Sequence, residues 1–322
     1  MQRRTVVTNL FAAGAAAWLA SRPVFASDPV EAIDNWTSKQ VREGFTRFAR
    51  THRMPSDLGR WLADPRIQCI EPYRVFDNVW YVGLRWVASY LIDTKDGWVL
   101  IDTTHEPFVD HLLESIAKVG VKLDDIAYVL MTHGHFDHVG GYYRLKPMMP
   151  RTRFAMSERG WKEAFENART STNSPVPWKM LQEKDLVLCD GETIRLGDNT
   201  FTALETAGHT WGTVSYLYDV VCGDRRHRAV TVGGLGLNAI SGPEQLEAYI
   251  ESMRRLADPR LGIEVDMTAH PFSNGLTERI GEIVALRPGD KHPLVDAEGY
   301  RRRLDGLTEN ARKTLAAMKS KS

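Results

Sequence analysis

The chain has 322 residues, of which 41 are Lys or Arg and 41 Asp or Glu, with 43% apolar and 25% charged. Those fractions exclude a disordered, collagen-like or coiled-coil chain. The balanced charge gives no electrostatic reason to expect nucleic acid or an anionic membrane as partner, and no apolar run approaches the ~20 residues of a bilayer span. Residues 1–26 read as an export signal peptide. Arg3 and Arg4 form its positive start, Leu10 to Ala20 its apolar run, and Val24-Phe25-Ala26 its cleavage site. This predicts a mature chain from Ser27 in a periplasmic or secreted setting, with the paired arginines leaving the twin-arginine route open. Cleavage removes Arg3, Arg4 and Arg22 and no acid, so 38 basic residues would face 41 acidic ones, a net charge of −3. Cys69, Cys189 and Cys222 permit at most one disulfide, and none lies in a C-x-x-C pair that would suggest a cysteine zinc site or a redox motif.

Residues 27–322 read as one α/β domain. A helical N-terminal segment covers about 30–62, with Trp36, Phe45, Phe48, Leu58 and Trp61 as its buried positions. Short β-branched and aromatic runs then predict strands over Val79–Gly83, Val87–Ile92 and Trp98–Asp102, the last two joined by a turn at Lys95-Asp96-Gly97. Leu112, Leu113, Ile116 and Val119 recur at helical spacing between Pro107 and Gly120. Ile126–Met131 is too short for a helix and reads as a buried strand. A helix near Ser157–Asn167 and a loop over Thr170–Pro177 follow. A second set of strands is expected near 186–188, 193–196, 200–206, 214–218 and 229–232. After these come a helix over Pro243–Leu256, a strand over Val265–Ala269 and a charged helix from about Ala297 to Lys319. Two strand-rich halves with interspersed helices predict two packed sheets covered by helices.

The strand at 126–131 runs into Thr132-His133-Gly134-His135-Phe136-Asp137-His138. Residues two apart on an extended segment share a face, so His133 and His135 can reach one ion, while Asp137 and His138 can swing toward a second as the chain turns. Four such groups crowded together without a cation would cost several kcal/mol in unpaired polar atoms. His209, in Ala207-Gly208-His209-Thr210, and His270, in Ala269-His270-Pro271, lie beside predicted strand ends and complete the set.

With these residues the chain resembles the metallo-β-lactamase superfamily. The likeness runs from Glu71-Pro72-Tyr73-Arg74-Val75 and Asn78-Val79-Trp80-Tyr81-Val82-Gly83 through Asp102, the H-x-H-x-D-H box and Gly208-His209-Thr210 to His270-Pro271. Within that superfamily it looks most like subclass B3. The resemblance implies an αβ/βα four-layer sandwich, two facing mixed β-sheets covered by helices, with two zinc ions per chain in the groove between the sheets. His133, His135 and His209 would hold the first zinc, and Asp137, His138 and His270 the second, with Asp137 also acting catalytically on the attacking water and Asp102 orienting ligands from behind. Ser273, Asn274 and Asn238 are the candidates to grip a substrate carboxylate, and Trp86, Phe136 and Trp211 the candidate pocket walls.

Two departures bear on the substrate. Relatives such as glyoxalase II and the lactonases carry a bridging Asp where this chain has Thr231-Val232-Gly233-Gly234-Leu235-Gly236, and Asp219 and Asp224 fall too early to replace it. Relatives also show Asp-Gly-Gly where this chain has Asp102-Thr103-Thr104-His105, with His105 a loop histidine that approaches the pocket or stands apart. The expected function is a secreted dizinc hydrolase that opens the β-lactam ring of antibiotics with a zinc-bound hydroxide, taking a small molecule and neither nucleic acid nor membrane as partner. The alternatives are hydrolysis of a lactone, ester or other cyclic amide, and a non-catalytic metal-binding protein on the same fold.

Overall fold

The computed structural model describes residues 36–51, 53–170, 174 and 177–320. The proposed export segment, the start of the N-terminal helical segment and most of the loop after Thr170 lie outside the described residues. No helix of the described residues is long and apolar enough to cross a membrane.

The first sheet has seven strands in sequential order: β1 (Tyr73–Phe76), β2 (Val79–Tyr81), β3 (Tyr90–Asp93), β4 (Trp98–Ile101), β5 (Ile126–Leu130), β6 (Arg153–Ser157) and β7 (Leu186–Leu188). Pairing is antiparallel from β1 to β4 and parallel from β4 to β7. The second sheet holds β8 (Thr193–Leu196), β9 (Asn199–Glu205), β10 (Val214–Cys222), β11 (Arg225–Val232) and β12 (Val265–Thr268), with β12 parallel to β11 and the rest antiparallel. The helices are α1 (Ser38–Thr51), α2 (Ser56–Ala63), α3 (Pro65–Gln68), α4 (Val109–Val119), α5 (Phe136–Val139), α6 (Tyr142–Met148), α7 (Glu158–Thr170), α8 (Pro243–Leu256), α9 (Pro271–Asn274), α10 (Leu276–Val284) and α11 (Ala297–Lys319).

Strand alternation sorts the apolar residues into three layers of core. Tyr90 and Ile92 of β3 and Val99 and Ile101 of β4 point inward, where they meet Tyr216, Tyr218 and Val220 of β10 and Met267 of β12. Their neighbours Leu91 and Leu100 point the other way, onto Leu112 and Ile116 of α4, Leu145 of α6 and Trp161 of α7. On the far side Leu217 and Val230 pack under Leu246, Tyr249 and Met253 of α8 and Tyr300 and Leu304 of α11. The result is the expected four-layer αβ/βα sandwich of two mixed sheets.

Several elements differ from the sequence reading. Of the residues expected inside the N-terminal segment, Leu58 and Trp61 are buried, while Trp36, Phe45 and Phe48 are half-buried because α1 lies on the surface of the molecule. Pairing of β3 begins only at Tyr90, since the Val87 carbonyl accepts the Leu84 amide in a local turn. β6, the short helices α5 and α6 around Gly140-Gly141, and α9–α10 carry no usable periodicity over their few residues. The turn at 95–97 forms as expected, with Lys95 at φ 73° and Gly97 at φ 133°, and Gly120 ends α4 in the left-handed region.

Leu112 is fully buried between α4 and the first sheet. Leu112→Ala is expected to lower the unfolding free energy by about 2–5 kcal/mol, read from chemical denaturation midpoints.

Candidate metal centre

The site lies where β5 ends and the chain leaves the sheet, at the carboxyl end of a parallel strand, where α/β sheets leave crevices for ligands. β5 is held between β4 and β6, so Met131 and Thr132 continue its line into His133 before the chain turns into α5. Gly134 sits against α7, and a Cβ there would come within 2.6 Å of the Ala164 amide nitrogen. Only glycine permits that approach. The His209 loop follows β9, and Gly208, at φ 143°, leaves no room for a side chain against Tyr249 of α8. His270 directly follows the end of β12.

These segments bring the six donors together in two groups of three, His133–His135–His209 and Asp137–His138–His270, each with its ligand atoms within 4.8 Å of one another. In the first, His135 Nδ1 lies 3.1 Å from His133 Nε2 and 3.2 Å from His209 Nε2. In the second, His138 Nε2 lies 3.2 Å from His270 Nε2 and 3.2 Å from Asp137 Oδ2, which is 3.7 Å from His270 Nε2.

The outer nitrogens define how the rings are turned. His209 Nδ1 donates to the Gly236 carbonyl at 2.6 Å, and His270 Nδ1 donates to the Trp86 carbonyl at 2.9 Å. His138 Nδ1 donates to Asp102 Oδ2 at 2.7 Å. Thr132 Oγ1 gives its hydrogen to Asp102 Oδ2 at 2.9 Å, so His133 Nδ1 is the donor in its 3.0 Å contact with that hydroxyl. With the outer nitrogen carrying the hydrogen, the Nε2 lone pairs of His133, His209 and His270 face inward, as metal-binding imidazoles require. Lone pairs converging with no donor between them repel, and a divalent cation resolves that repulsion. The donor set therefore fits a metal.

Burial, reinforced by the neighbouring rings, holds His133 and His209 below the ordinary histidine range, His135 down to about 3 and His270 to about 4. These shifts favour the neutral imidazoles, with lone pairs free. His138 goes the other way. Burial lowers it, but Asp137 and then Asp102 carry it up to about 10. Burial likewise raises Asp137, and the facing His138 overrides it and holds the carboxyl below the usual carboxylate range.

Asp102 is the hub behind the ligands. Its carboxylate also accepts the Thr132 amide at 2.8 Å, tying the end of β4 to the residue before His133. Asp102 and Thr104 stand at φ 59° and 57°, and Thr104 is where the second glycine of the Asp-Gly-Gly pattern would fall. Thr104 Oγ1 is buried without a hydrogen-bond partner among the described residues. His105 is buried too, its ring 4.9 Å from Phe136 and 5.6 Å from Trp86, and burial holds it at about 4.

Of the remaining candidates, Trp86 stacks on His270 at 5.5 Å and Phe136 packs beside it at 6.4 Å, while Trp211 lies under Arg159. Asn238 sits beside Gly236, whose added Cβ would lie 3.6 Å from His209 Cε1. Ser273 Oγ pairs with Thr268 Oγ1 at 2.6 Å. Asn274 is occupied in the fold at both ends, donating to the Asp266 carbonyl and accepting the Leu276 amide. Asp219 accepts Arg228, Asp224 falls in the β10–β11 turn, and neither belongs to either group.

Sequence reasoning missed the clamp made by α7. Glu163 accepts the amides of Trp211 at 2.9 Å and Gly212 at 3.0 Å, and Asn167 donates to the Gly134 carbonyl at 2.9 Å. One helix thus holds both loops of the first group. Nothing in the helical periodicity marks Glu163, because its partners lie some 48 residues away in sequence.

Residues 82–221 match the metallo-beta-lactamase superfamily. The fold is similar to BJP-1, a subclass B3 metallo-beta-lactamase of Bradyrhizobium japonicum, at 25% identity and TM-score 0.67 over 78% of this chain and 96% of that one. It is equally similar to native FEZ-1 metallo-beta-lactamase from Legionella gormanii, at 25% identity and TM-score 0.69 over 78% of this chain and 97% of that one. Residues 82–221 thus match the metallo-β-lactamase superfamily, and the fold around them is the metallo-β-lactamase fold. Its structural neighbours are subclass B3 enzymes, in accord with the sequence resemblance. By sequence, the chain is also 28% identical over 52% of its length to a hydroxyacylglutathione hydrolase of Synechococcus sp. (strain JA-2-3B'a(2-13)), of which it spans just over half, 56%.

Three outcomes are expected. Glu163→Ala weakens divalent-metal binding at the His133–His135–His209 group by about 10–100-fold, read by competition with a chromogenic chelator. Thr104→Gly, which relieves about 1–3 kcal/mol of backbone strain, is at least as stable as the parent in denaturant. Thr103→Gly is less stable, because the Thr103 hydroxyl donates to the His138 carbonyl and accepts the Gly141 amide.

Proposed function

We propose that the chain is an exported dizinc hydrolase that opens the amide bond of a β-lactam ring. Two intact triads of inward-facing donors carry this reading, with no carboxylate besides Asp137 in either group. His133, His135 and His209 would hold one zinc and Asp137, His138 and His270 the other. Bound there, the two ions would supply Lewis acidity and a water acidified toward neutral pH.

The chain's own residues prepare that chemistry. Asp102 and the Gly236 and Trp86 carbonyls fix the His138, His209 and His270 rings before any ion arrives. Asp137 stays ionised and can accept a hydrogen bond from a water held at the second group. Trp86 and Phe136 exclude water on the His270 side. Asn238 is placed to meet a substrate carboxylate on the His209 side, and Ser273 is the candidate near His270.

The second reading, an ester, thioester, lactone or other cyclic amide, draws support from the hydroxyacylglutathione hydrolase likeness. Against it stands Gly234. A Cβ at that position would lie 2.7 Å from His209 Cγ, so the stretch where such relatives carry a bridging Asp has no room for a side chain there.

Metal-replete protein is expected to hydrolyse members of a panel of penicillins, cephalosporins and carbapenems in a chelator-sensitive way, and lactones and thioesters slowly. Turnover of lactones or thioesters alone establishes the second reading, and two bound zinc ions with no turnover overturn both. Asp137→Ala is expected to lower kcat/KM by about 10²-fold or more. His227→Ala leaves it near the parent value, since His227 pairs with Glu264 outside the site. The exported protein's N-terminus should read from Ser27.

A further inference from the structure

Helix α1 rests on two places at once. It packs against the 3-10 turn Leu237–Ala239 and against α9. The first directly follows Gly236, whose carbonyl holds His209, and the second directly follows His270. A helix lying on both banks spans the groove between them. Its anchors are few and specific. The Ser38 amide and hydroxyl each donate to the Glu278 carboxylate at 2.6 Å, and Arg42 Nη1 donates to the Phe272 carbonyl at 2.6 Å. Behind, α1 is bedded on α2 at Gly44, where a Cβ would stand 3.2 Å from Leu58 Cδ1.

Phe45 occupies the middle of this span. Its ring stacks on Phe272 at 5.1 Å and on Trp86 at 6.3 Å, and Trp86 stacks in turn on His270. Helical periodicity would bury Phe45, yet it is half-exposed. Its outer face is open where its inner face touches the wall of the second group. An apolar ring held two rings from a metal ligand, on a helix with few tethers, is placed to meet whatever enters.

We propose that Phe45 determines substrate specificity: α1 roofs the metal groove, and Phe45, Phe272 and Trp86 form a wall that admits compact substituents beside His270 and excludes bulky ones. The choice of substrates rests on the hydrolase reading above, whereas the roof itself does not.

Two readouts separate these. The first compares kcat/KM for matched substrates that differ only in bulk, such as a penicillin with its free amine against one with a large aryl acyl group, and a short-chain against a long-chain lactone. Phe45→Ala is expected to raise the bulky-to-compact ratio about tenfold or more. The second needs no metal and no turnover. Diethyl pyrocarbonate labelling of the metal-free protein, located by peptide mass spectrometry, should modify His270 severalfold faster in Phe45→Ala. Arg42→Ala keeps the ring and loses a tether, and should move both readouts in the same direction by less, which guards against misfolding of the first variant. Faster labelling with an unchanged ratio overturns the specificity role, and both unchanged in both variants overturns the roof as well. If the parent hydrolyses neither pair, the hydrolase reading fails, and the labelling alone decides the roof.

Discussion

Inward-facing imidazole nitrogens of the first group, brought to about 3 Å of one another, repel in the absence of a cation, and the rest of the molecule is arranged to hold them there regardless. The restraint comes from behind four of the five rings. Asp102 takes three hydrogen bonds from Thr132 and His138, the Thr132 hydroxyl takes the outer N–H of His133, and backbone carbonyls of Gly236 and Trp86 take the outer N–H of His209 and His270. Because those acceptors sit on different strands and loops, these four rings are referenced to the sandwich as a whole. The strain at Asp102 and Thr104 belongs to the same requirement, since the chain must leave β4 at an angle that aims a carboxylate back under β5.

This also explains the local density of close approaches. Gly134 against α7 and Gly208 against α8 let two helices reach the backbone of two ligand loops. Once there, Glu163 and Asn167 of α7, and Gln245 of α8 with its 2.8 Å bond to the Gly208 carbonyl, satisfy amides and carbonyls that would otherwise face the interior. The helices that cover the sheets therefore also fix the site, and a change in helix packing is transmitted to the ligands.

What was legible in the sequence divides along the same line. The H-x-H-x-D-H box at the end of an apolar strand, the helix α8 with its single apolar face, and the β-branched and aromatic runs of the first strands are all short-range patterns, and they locate the sheet, the helices and the donors. His209 and His270 were legible only by company, as strand-end histidines read together with the box. Glu163, the obligate openness at Gly234 and the exposed setting of Phe45 were not legible. Each depends on a partner far along the chain: Trp211 for Glu163, His209 for Gly234, Phe272 for Phe45. Asn274 shows the converse. Its residue type and its place next to His270 suited a substrate contact, and its two hydrogen bonds to Asp266 and Leu276 engage it in the joint between α9 and α10.

The division between shared and particular parts of the chain follows the site's own division. The superfamily match over residues 82–221 contains Asp102, His133, His135, Asp137, His138 and His209, which is the first group whole and two thirds of the second. His270, Gly234, the 3-10 turn bearing Asn238 and the whole of α1 lie outside it. The matched part thus carries five of the six candidate metal ligands. The flanks complete the second group, close the space where a bridging acid would stand, and lay a helix across the opening. The matched stretch and its flanks meet at the site itself, where the Gly236 carbonyl holds His209, the Trp86 carbonyl holds His270, and His270 faces Asp137.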